Sequence, residues 1–515
     1  SKIALMASTL TTPLYYVNDK PHIGSVYTTL AVDTLARFKR LSGEQVMFIT
    51  GCDEHGQKIQ QTAESAGIEP QQHCDEISST FASTWSQWQI SNDRFIRTSD
   101  PRHQSIVEEF FTRVEANGDI VEGRQQGWYC VACEEYKDDP ADAQSPHCPI
   151  HQKPLEWRDE ANLFFKLSRY QDAIEKLIAT DGFIRPASRR REVENFVANG
   201  LRDFSISRRN VSWGLPVPGH DGHTFYVWFD ALLGYITALL DPNQPASLNN
   251  ALTNGWPAQL HVIGKDILRF HAVYWPAMCL SAGIELPQAV FGHGFLTREG
   301  QKMGKSMGNS IDPIRLLEMC GRDAVRWYLL RDIQFGDDGD IQQQRLIDLV
   351  NNDLANTIGN LVNRSISMAR KWFDGVPDIV EPLAVDHPLR LAADRAVADA
   401  ALHYQELRFH CVAEQALQLA IAANGYLSDQ APWKAIKEPD NRDQVAADLY
   451  AVLEASRLVG VLLQPLLPEF SKQLLHQLNA PSDGWSELLT WGQLAPGILD
   501  APTPLLHRLE LEEQI

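Results

Sequence analysis

The sequence predicts an α/β protein: a parallel sheet, interrupted by a small cysteine-bearing insertion and followed by an all-α helix bundle. Three observations predict it. Short apolar runs alternate with helical patterns up to about residue 118 and again from 224 to 297. A stretch with paired cysteines lies between them. Beyond about residue 340 only helical periodicity is seen, which predicts a bundle with no strands.

The apolar run from Ile3 to Met6 predicts a first strand. Leu30, Leu35, Phe38 and Leu41 recur at helical spacing, and Gly43 is a plausible stop. Val46 to Ile49 predicts a second strand. The stretch from Pro13 to Tyr27 therefore falls in the first turn of a β-α-β unit, at a helix N-terminus. Free N–H groups and positive potential there suit a phosphate. Within it, Gly24 lets the backbone come close to a base, and His22 can donate to phosphate oxygens. Taken alone, His22-Ile23-Gly24-Ser25 is a short match that recurs by chance, and an ordinary turn histidine explains it equally well.

Thr50 to Gly56 follows the second strand, at the carboxyl edge of the sheet, where ligands of open parallel sheets bind. Asp53 is placed to accept a cationic group such as an amino-acid α-ammonium, or else to cap the next helix. Residues 57 to 118 read as helices, with Ile106, Val107, Phe110, Phe111 and Val114 forming one apolar stripe.

Near residue 119 the character changes. Cys130-Val131-Ala132-Cys133 is followed by a polar loop and then by Cys148-Pro149-Ile150-His151. Two knuckles of this spacing supply the four N or S ligands of tetrahedral zinc. The segment is poor in apolar residues, so metal binding would supply folding energy, and a filled coordination sphere makes the site structural. Residues 155 to 223 mix strands and short helices.

The α/β pattern then resumes. Thr224 to Phe229 reads as a strand, Asp230 to Leu240 as a helix, Leu260 to Ile263 and Ala289 to Thr297 as strands. Trp228, Ala231, Leu232, Tyr235, Phe270 and His271 could line an apolar pocket with a polar tip, although core aromatics read the same way. Gly264 and Asp266 follow a strand end, where an acidic residue suits a ribose hydroxyl. Lys302 to Asn309 is a glycine-bearing loop that could bring the ammonium groups of Lys302 and Lys305 onto a triphosphate. In the helical region Asn360 and Arg364 lie four apart and share a face, and Trp433 follows a helix stop. An Asn/Arg face beside an exposed Trp suits unstacked RNA bases, whereas surface polar residues and a buried Trp would be the plainer account.

Composition bounds the rest. The chain has 515 residues, 44% of them hydrophobic, enough for two to four packed domains. A net charge of −20 argues against a purely electrostatic nucleic-acid coat, leaving local patches such as Arg189-Arg190-Arg191 with Arg202, Arg208 and Arg209. Cys52, Cys74, Cys279 and Cys411 have no partner at a suggestive spacing and read as free thiols of a reducing compartment. No apolar run approaches a membrane span, so a cytoplasmic protein with no membrane partner is expected. A monomer is expected as well.

His22 to Ser25 and Lys302-Met303-Gly304-Lys305-Ser306, in that order, resemble the HIGH and KMSKS signatures of class I aminoacyl-tRNA synthetases. The surrounding sequence is most similar to the methionyl-tRNA synthetase family over nearly its whole length. The resemblance implies a Rossmann-like catalytic domain in two halves (1–118 and 224–297), a connective insertion with the zinc knuckle (119–223), a KMSKS-loop and stem-contact region (298–355) and an α-helical anticodon-binding domain (356–515). It implies a methionine pocket of Pro13, Leu14, Tyr16, Asp53, Trp228, Ala231, Leu232, Tyr235, Phe270 and His271, with Asp53 on the α-ammonium. It implies an ATP site of His22, Gly24, Ser25, Gly264, Asp266, Lys302, Met303, Lys305 and Ser306. His22, Ser25, Lys302 and Lys305 would be catalytic. Cys130, Cys133, Cys148 and His151 match the family's structural zinc ligands. Asn360, Arg364 and Trp433 match its readers of the CAU anticodon of tRNA(Met).

The implied reaction joins methionine to ATP, with Mg2+, as methionyl-adenylate and pyrophosphate. The methionyl group then passes to the 3′-terminal ribose of tRNA, releasing AMP. Two positions depart from the pattern: Ser25 replaces the second signature histidine and Gly304 the first signature serine. A serine cannot carry charge, and losing a charged donor from a transition state costs about 2–4 kcal/mol. The rivals are a class I synthetase for isoleucine, valine, leucine or cysteine, a tRNA-binding paralogue without catalysis, and a zinc-dependent RNA-binding protein with the α/β part as scaffold. The insertion, about 100 residues long, is too short for the editing members.

Overall fold

A computed structural model describes residues 7–137, 144, 146–304 and 307–515. The expected strand from Ile3 to Met6 lies outside the described residues. The chain divides into two compact units, residues 1–21 with 46–293 and residues 22–45 with 294–515.

The first unit is built on six strands: β1 (Ser8–Tyr16), β2 (Val46–Asp53), β3 (Arg94–Arg97), β4 (Ile184–Arg185), β5 (Leu260–Gly264) and β6 (Val290–His293). Their spatial order is β3-β2-β1-β5-β6-β4, and every pairing is parallel. Chain order reverses between β1 and β5, so the crevice at their carboxyl ends is the place where an open parallel sheet takes a ligand. Pro13 and Leu14, expected in the loop, lie inside β1. The ladder shifts register between Thr11 and Leu14, and such an irregularity admits a proline that has no N–H to donate.

Helices α2 (Gln57–Ala66), α3 (Pro70–Gln87), α4 (Pro101–Ala116) and α5 (Val227–Thr237) also belong to this unit. The stripe read from the sequence on α4 is fully buried. The strand expected from Thr224 to Phe229 is a correction: only Thr224–Phe225 is extended, and α5 already begins at Val227. This helix is buried nearly all round, Phe229, Asp230, Leu233 and Ile236 included, so its apolar run lacks the amphipathic period that marks a surface helix. The strand expected from Ala289 to Thr297 is likewise two pieces, β6 and Leu296–Arg298. The insertion forms an antiparallel sheet in which Ile120–Cys130 pairs with Glu135–Lys137 and with Glu156–Phe165.

The second unit gathers α1 (Ile23–Leu41) with the helical C-terminal half. The Arg326 guanidinium, buried, donates to Asp33 at 2.7 Å and Thr34 at 2.9 Å, and to the carbonyls of Pro465 and Leu466. Phe38 of α1 stacks on Tyr404 at 5.0 Å. The helices expected beyond residue 340 are present, among them Leu361–Phe373, Phe409–Gln430 and Arg442–Leu462. The expectation of no strand there needs correction in two short places. Gly375–Val376 pairs with Gly497–Ile498, and Gly339–Ile341 pairs with Leu296–Arg298. Two or three residues are too few to show a period of two.

Candidate active site

The carboxyl ends of β1, β2 and β5 bring Tyr16, Asp53 and Gly264 to one edge of the sheet. The four residues that follow Cys52 are held one by one. Glu54 is wholly buried and takes hydrogen bonds from Arg97 at 2.8 Å, Ser78 at 2.9 Å and Ser99 at 2.8 Å. His55 Nδ1 donates to Asp230 at 2.6 Å, and the Gly56 amide donates to the Trp213 carbonyl at 2.9 Å. Asp53 differs: its Oδ1 is buried with no hydrogen-bond partner among the described residues. Burial first, then the charges of Asp230 and Glu134, push its carboxyl well above the ordinary carboxylate range. A buried acceptor without a donor is costly, and a cationic donor satisfies it best.

Asp230 lies between two imidazoles, since His103 Nε2 also donates to it at 2.6 Å. Burial alone would raise the Asp230 carboxyl. The charge of His55 and the bonds from His103 and His55 overcome it and hold it down to about 2. For His55 burial opposes the charged ring, but Asp230 prevails and raises it.

Several of the aromatic residues expected to line a pocket meet in the same unit. Trp228 stacks on Phe270, ring centroids 4.1 Å apart. His271 Nδ1 donates to the Ile267 carbonyl at 3.1 Å, so Nε2 is left to accept from the Tyr235 hydroxyl at 2.7 Å. Burial pushes the His271 ring down to about 4, so it is neutral at pH 7. Next to it His261 accepts from Trp275 Nε1 at 3.2 Å and donates to Thr11 at 2.6 Å. Phe270–Tyr274 is a π-helical turn, a local widening that recurs at functional sites. Ala231, Leu232 and Tyr235 are buried, while Pro13, Leu14, Tyr16, Trp228 and Phe270 are partly open. An apolar cluster that ends in a hydroxyl–imidazole pair suits an unbranched, weakly polar side chain.

In the second unit, exposed His22 is the N-cap of α1. Its Nδ1 accepts from the Gly24 amide at 3.1 Å, which turns the ring back over the first turn. A Cβ on Gly24 would come within 2.8 Å of that ring, so a larger residue would make the ring shift. Ser25 is buried one residue on. Lys302 is exposed, and Asn309 clasps its loop: Asn309 Nδ2 donates to the Lys302 carbonyl at 3.1 Å, and its Oδ1 accepts from the Gly304 amide at 3.0 Å. Lys305 and Ser306 lie outside the described residues. In the first unit, Asp266 is exposed beside Gly264. Further along the second unit, the Arg364 guanidinium lies 5.7 Å from the centre of the Trp433 ring, with Asn360 and Arg364 both exposed. Trp433 is 38% exposed.

The four presumed metal ligands converge, their donor atoms all within 4.8 Å of one another. Cys133 Sγ is 3.6 Å from Cys148 Sγ and 3.1 Å from His151 Nδ1. Thiolates bound to one tetrahedral zinc at 2.3 Å stand about 3.8 Å apart, so the donor set fits. All eight cysteines are free of disulfides, including Cys320, which the sequence reading did not single out. No described helix is long and apolar enough to cross a membrane.

Sequence reasoning missed Glu54, His55, His103, Asp230 and Glu134. For Asp230 a signal existed, because a lone acid in the run Val-Trp-Phe-Asp-Ala-Leu-Leu has to be paired if buried. Glu134 had none.

A switch-point crevice, a histidine-capped helix after β1 and a clasped lysine loop are the parts of a class I aminoacyl-tRNA synthetase. The family model for class I tRNA synthetases (M) matches residues 8–141 and 135–366, and that for the anticodon-binding domain of methionyl tRNA ligase matches 376–513. A methionine–tRNA ligase of Synechocystis sp. is 51% identical over 98% of this chain and 97% of its own. The chloroplastic/mitochondrial one of Arabidopsis thaliana is 47% identical over 98% of this chain and 83% of its own. A solved Mycobacterium tuberculosis methionyl-tRNA synthetase in complex with methionyl-adenylate superposes with TM-score 0.92 at 38% identity, covering 98% of this chain and all of that one. The chain belongs to the methionyl-tRNA synthetases of class I.

Proposed function

We propose that this chain activates methionine with ATP and transfers the methionyl group to the 3′-terminal ribose of tRNA(Met), using the residues assigned above. The observation that carries the amino-acid half is the unpartnered, buried Asp53 Oδ1 at the crevice. The α-ammonium of methionine supplies the missing donor. The side chain enters among Leu14, Trp228, Phe270, Ala231 and Leu232, and the thioether reaches the neutral Tyr235–His271 pair. A neutral imidazole there avoids placing a charge against an apolar side chain.

The carboxylate of methionine attacks the α-phosphorus of ATP, and pyrophosphate leaves. His22, Lys302 and Lys305 neutralise charge building on the phosphates, and Mg2+ accompanies the nucleotide. Ser25 contributes a hydroxyl in place of an imidazole. Gly264 and Asp266 hold the nucleoside, and Met303 and Ser306 complete the loop. A terminal ribose hydroxyl of tRNA then attacks the acyl carbon and AMP departs. Asn360, Arg364 and Trp433 read the anticodon, the last two through the stacking geometry already present. Zinc on Cys130, Cys133, Cys148 and His151 would stabilise the knuckle. The enzyme acts as a monomer in the cytoplasm, a reading that the free thiols support.

Methionine-dependent ATP–pyrophosphate exchange, with isoleucine, leucine, valine and cysteine as controls, tests this reading. Exchange with methionine alone is expected. A folded, metal-loaded sample without exchange would point to a tRNA-binding paralogue.

A further inference from the structure

We propose that Glu134, the residue immediately after the ligand Cys133, is a positioning residue through which the metal knuckle holds the Asp53 loop in its binding-competent form. Helix α2 starts directly after that loop, and its N-cap, Gly56, has no side chain to satisfy the first free amides. Glu134 reaches in from the insertion and does this instead. Its Oε1 accepts from the Lys58 amide at 2.9 Å. The fit is closed from both sides, because a Cβ on Gly56 would lie 2.4 Å from Glu134 Oε1, and Gly56 has φ +116°. Glu134 itself is 3% exposed, has φ +54°, and its carbonyl accepts from the Tyr226 hydroxyl. Glu134 ends the turn that carries Cys133, its amide donating to the Val131 carbonyl at 3.3 Å, and from that left-handed position its buried side chain reaches the start of α2.

The physical consequence is a linkage between metal and amino acid. The knuckle has few apolar contacts of its own, with Cys130, Cys148 and Leu155 as its buried cluster, so its ligands fix where Glu134 points. Without that carboxylate the start of α2 frays, the loop populates other conformations, and apparent methionine affinity falls by the fraction that stays competent. The inference rests on the assignment of Asp53 to the α-ammonium, and its test separates the two.

Methionine binding without ATP is measured by titration calorimetry on the metal-loaded full chain and on Glu134→Ala, Glu134→Gln and Asp53→Asn. Glu134→Ala is expected to weaken methionine about tenfold, the size of one lost N-cap, with the KM for ATP unchanged and zinc retained. Glu134→Gln, which still presents a carbonyl oxygen to the Lys58 amide, recovers most of the affinity. Hydrogen exchange on the unmutated chain gives a second reading: chelating the metal should expose the Lys58 amide. Unchanged methionine affinity in folded Glu134→Ala, or a Lys58 amide still protected after chelation, overturns the proposal. Unchanged affinity in Asp53→Asn would instead refute the Asp53 assignment, while the Lys58 amide still reports the coupling.

Discussion

The region proposed to take methionine and the region proposed to take the phosphates are built differently. In the first unit Glu54, His55, Asp230, Tyr235, His261 and His271 are buried and locked to partners, and one carboxylate oxygen, Asp53 Oδ1, has none among the described residues. In the second unit His22 and Lys302 are exposed, and the His22 cap and the Asn309 clasp fix the backbone beside them. On the proposed assignment the difference follows the ligands. A small apolar side chain with an ammonium is recognised by fixed apolar walls and one well-placed acceptor. A triphosphate brings its own charge and water, and is met by long cationic side chains at the surface. On the proposed assignment, selectivity belongs to the first region and rate to the second.

The largest test of that division is Lys305→Ala, which should lower adenylate formation by about 100- to 1,000-fold, the loss of one transition-state donor, while methionine binding is little changed. Pyrophosphate exchange and calorimetry read the two effects. Asp53→Asn should do the reverse, weakening methionine by about 2 kcal/mol with the KM for ATP preserved. Trp433→Ala should reduce tRNA charging by roughly 1–3 kcal/mol of lost stacking and leave pyrophosphate exchange intact, and an equal fall in both would contradict an anticodon role.

The smallest effect is one of pH. The unfolded chain ionises Asp53 at about 3.9, and the folded chain holds that pKa higher. The free protein consequently loses stability as pH rises between those values. An ammonium favours the carboxylate, so thermal stabilisation by methionine should grow with rising pH and fade as pH falls through the raised pKa. Asp230 has the opposite sign: its contribution is present above about pH 4 and is lost as pH falls towards 2. A methionine-induced shift that strengthens on acidification would contradict the assignment of Asp53.

Much of this was readable in the chain because the signals are periodic or spaced. The two C-x-x-C/H knuckles and the α4 stripe needed no coordinates, whereas the spatial order of the sheet did, as did β3, which lies within the stretch 57–118 read as helices, and β4, too short to stand out among the mixed elements of 155–223. What escaped was of two physical kinds. Helix α5 is buried on all sides, and a run of Val, Trp and Phe looks the same in a buried helix and a strand. The contacts of Asp230 with His55 and His103 join residues more than 100 positions apart, and that of Glu134 with Lys58 spans 76. A pairing of that kind leaves no local pattern. Pro13 and Leu14 were expected in a loop and lie in a strand, because the register shift that admits Pro13 depends on β2.

Methionine binding in the absence of ATP, compared across the unmutated chain, Asp53→Asn and Lys305→Ala, tests the division of labour most directly. The account predicts that affinity collapses in Asp53→Asn alone. Loss of methionine binding in Lys305→Ala, or its retention in Asp53→Asn, would contradict it.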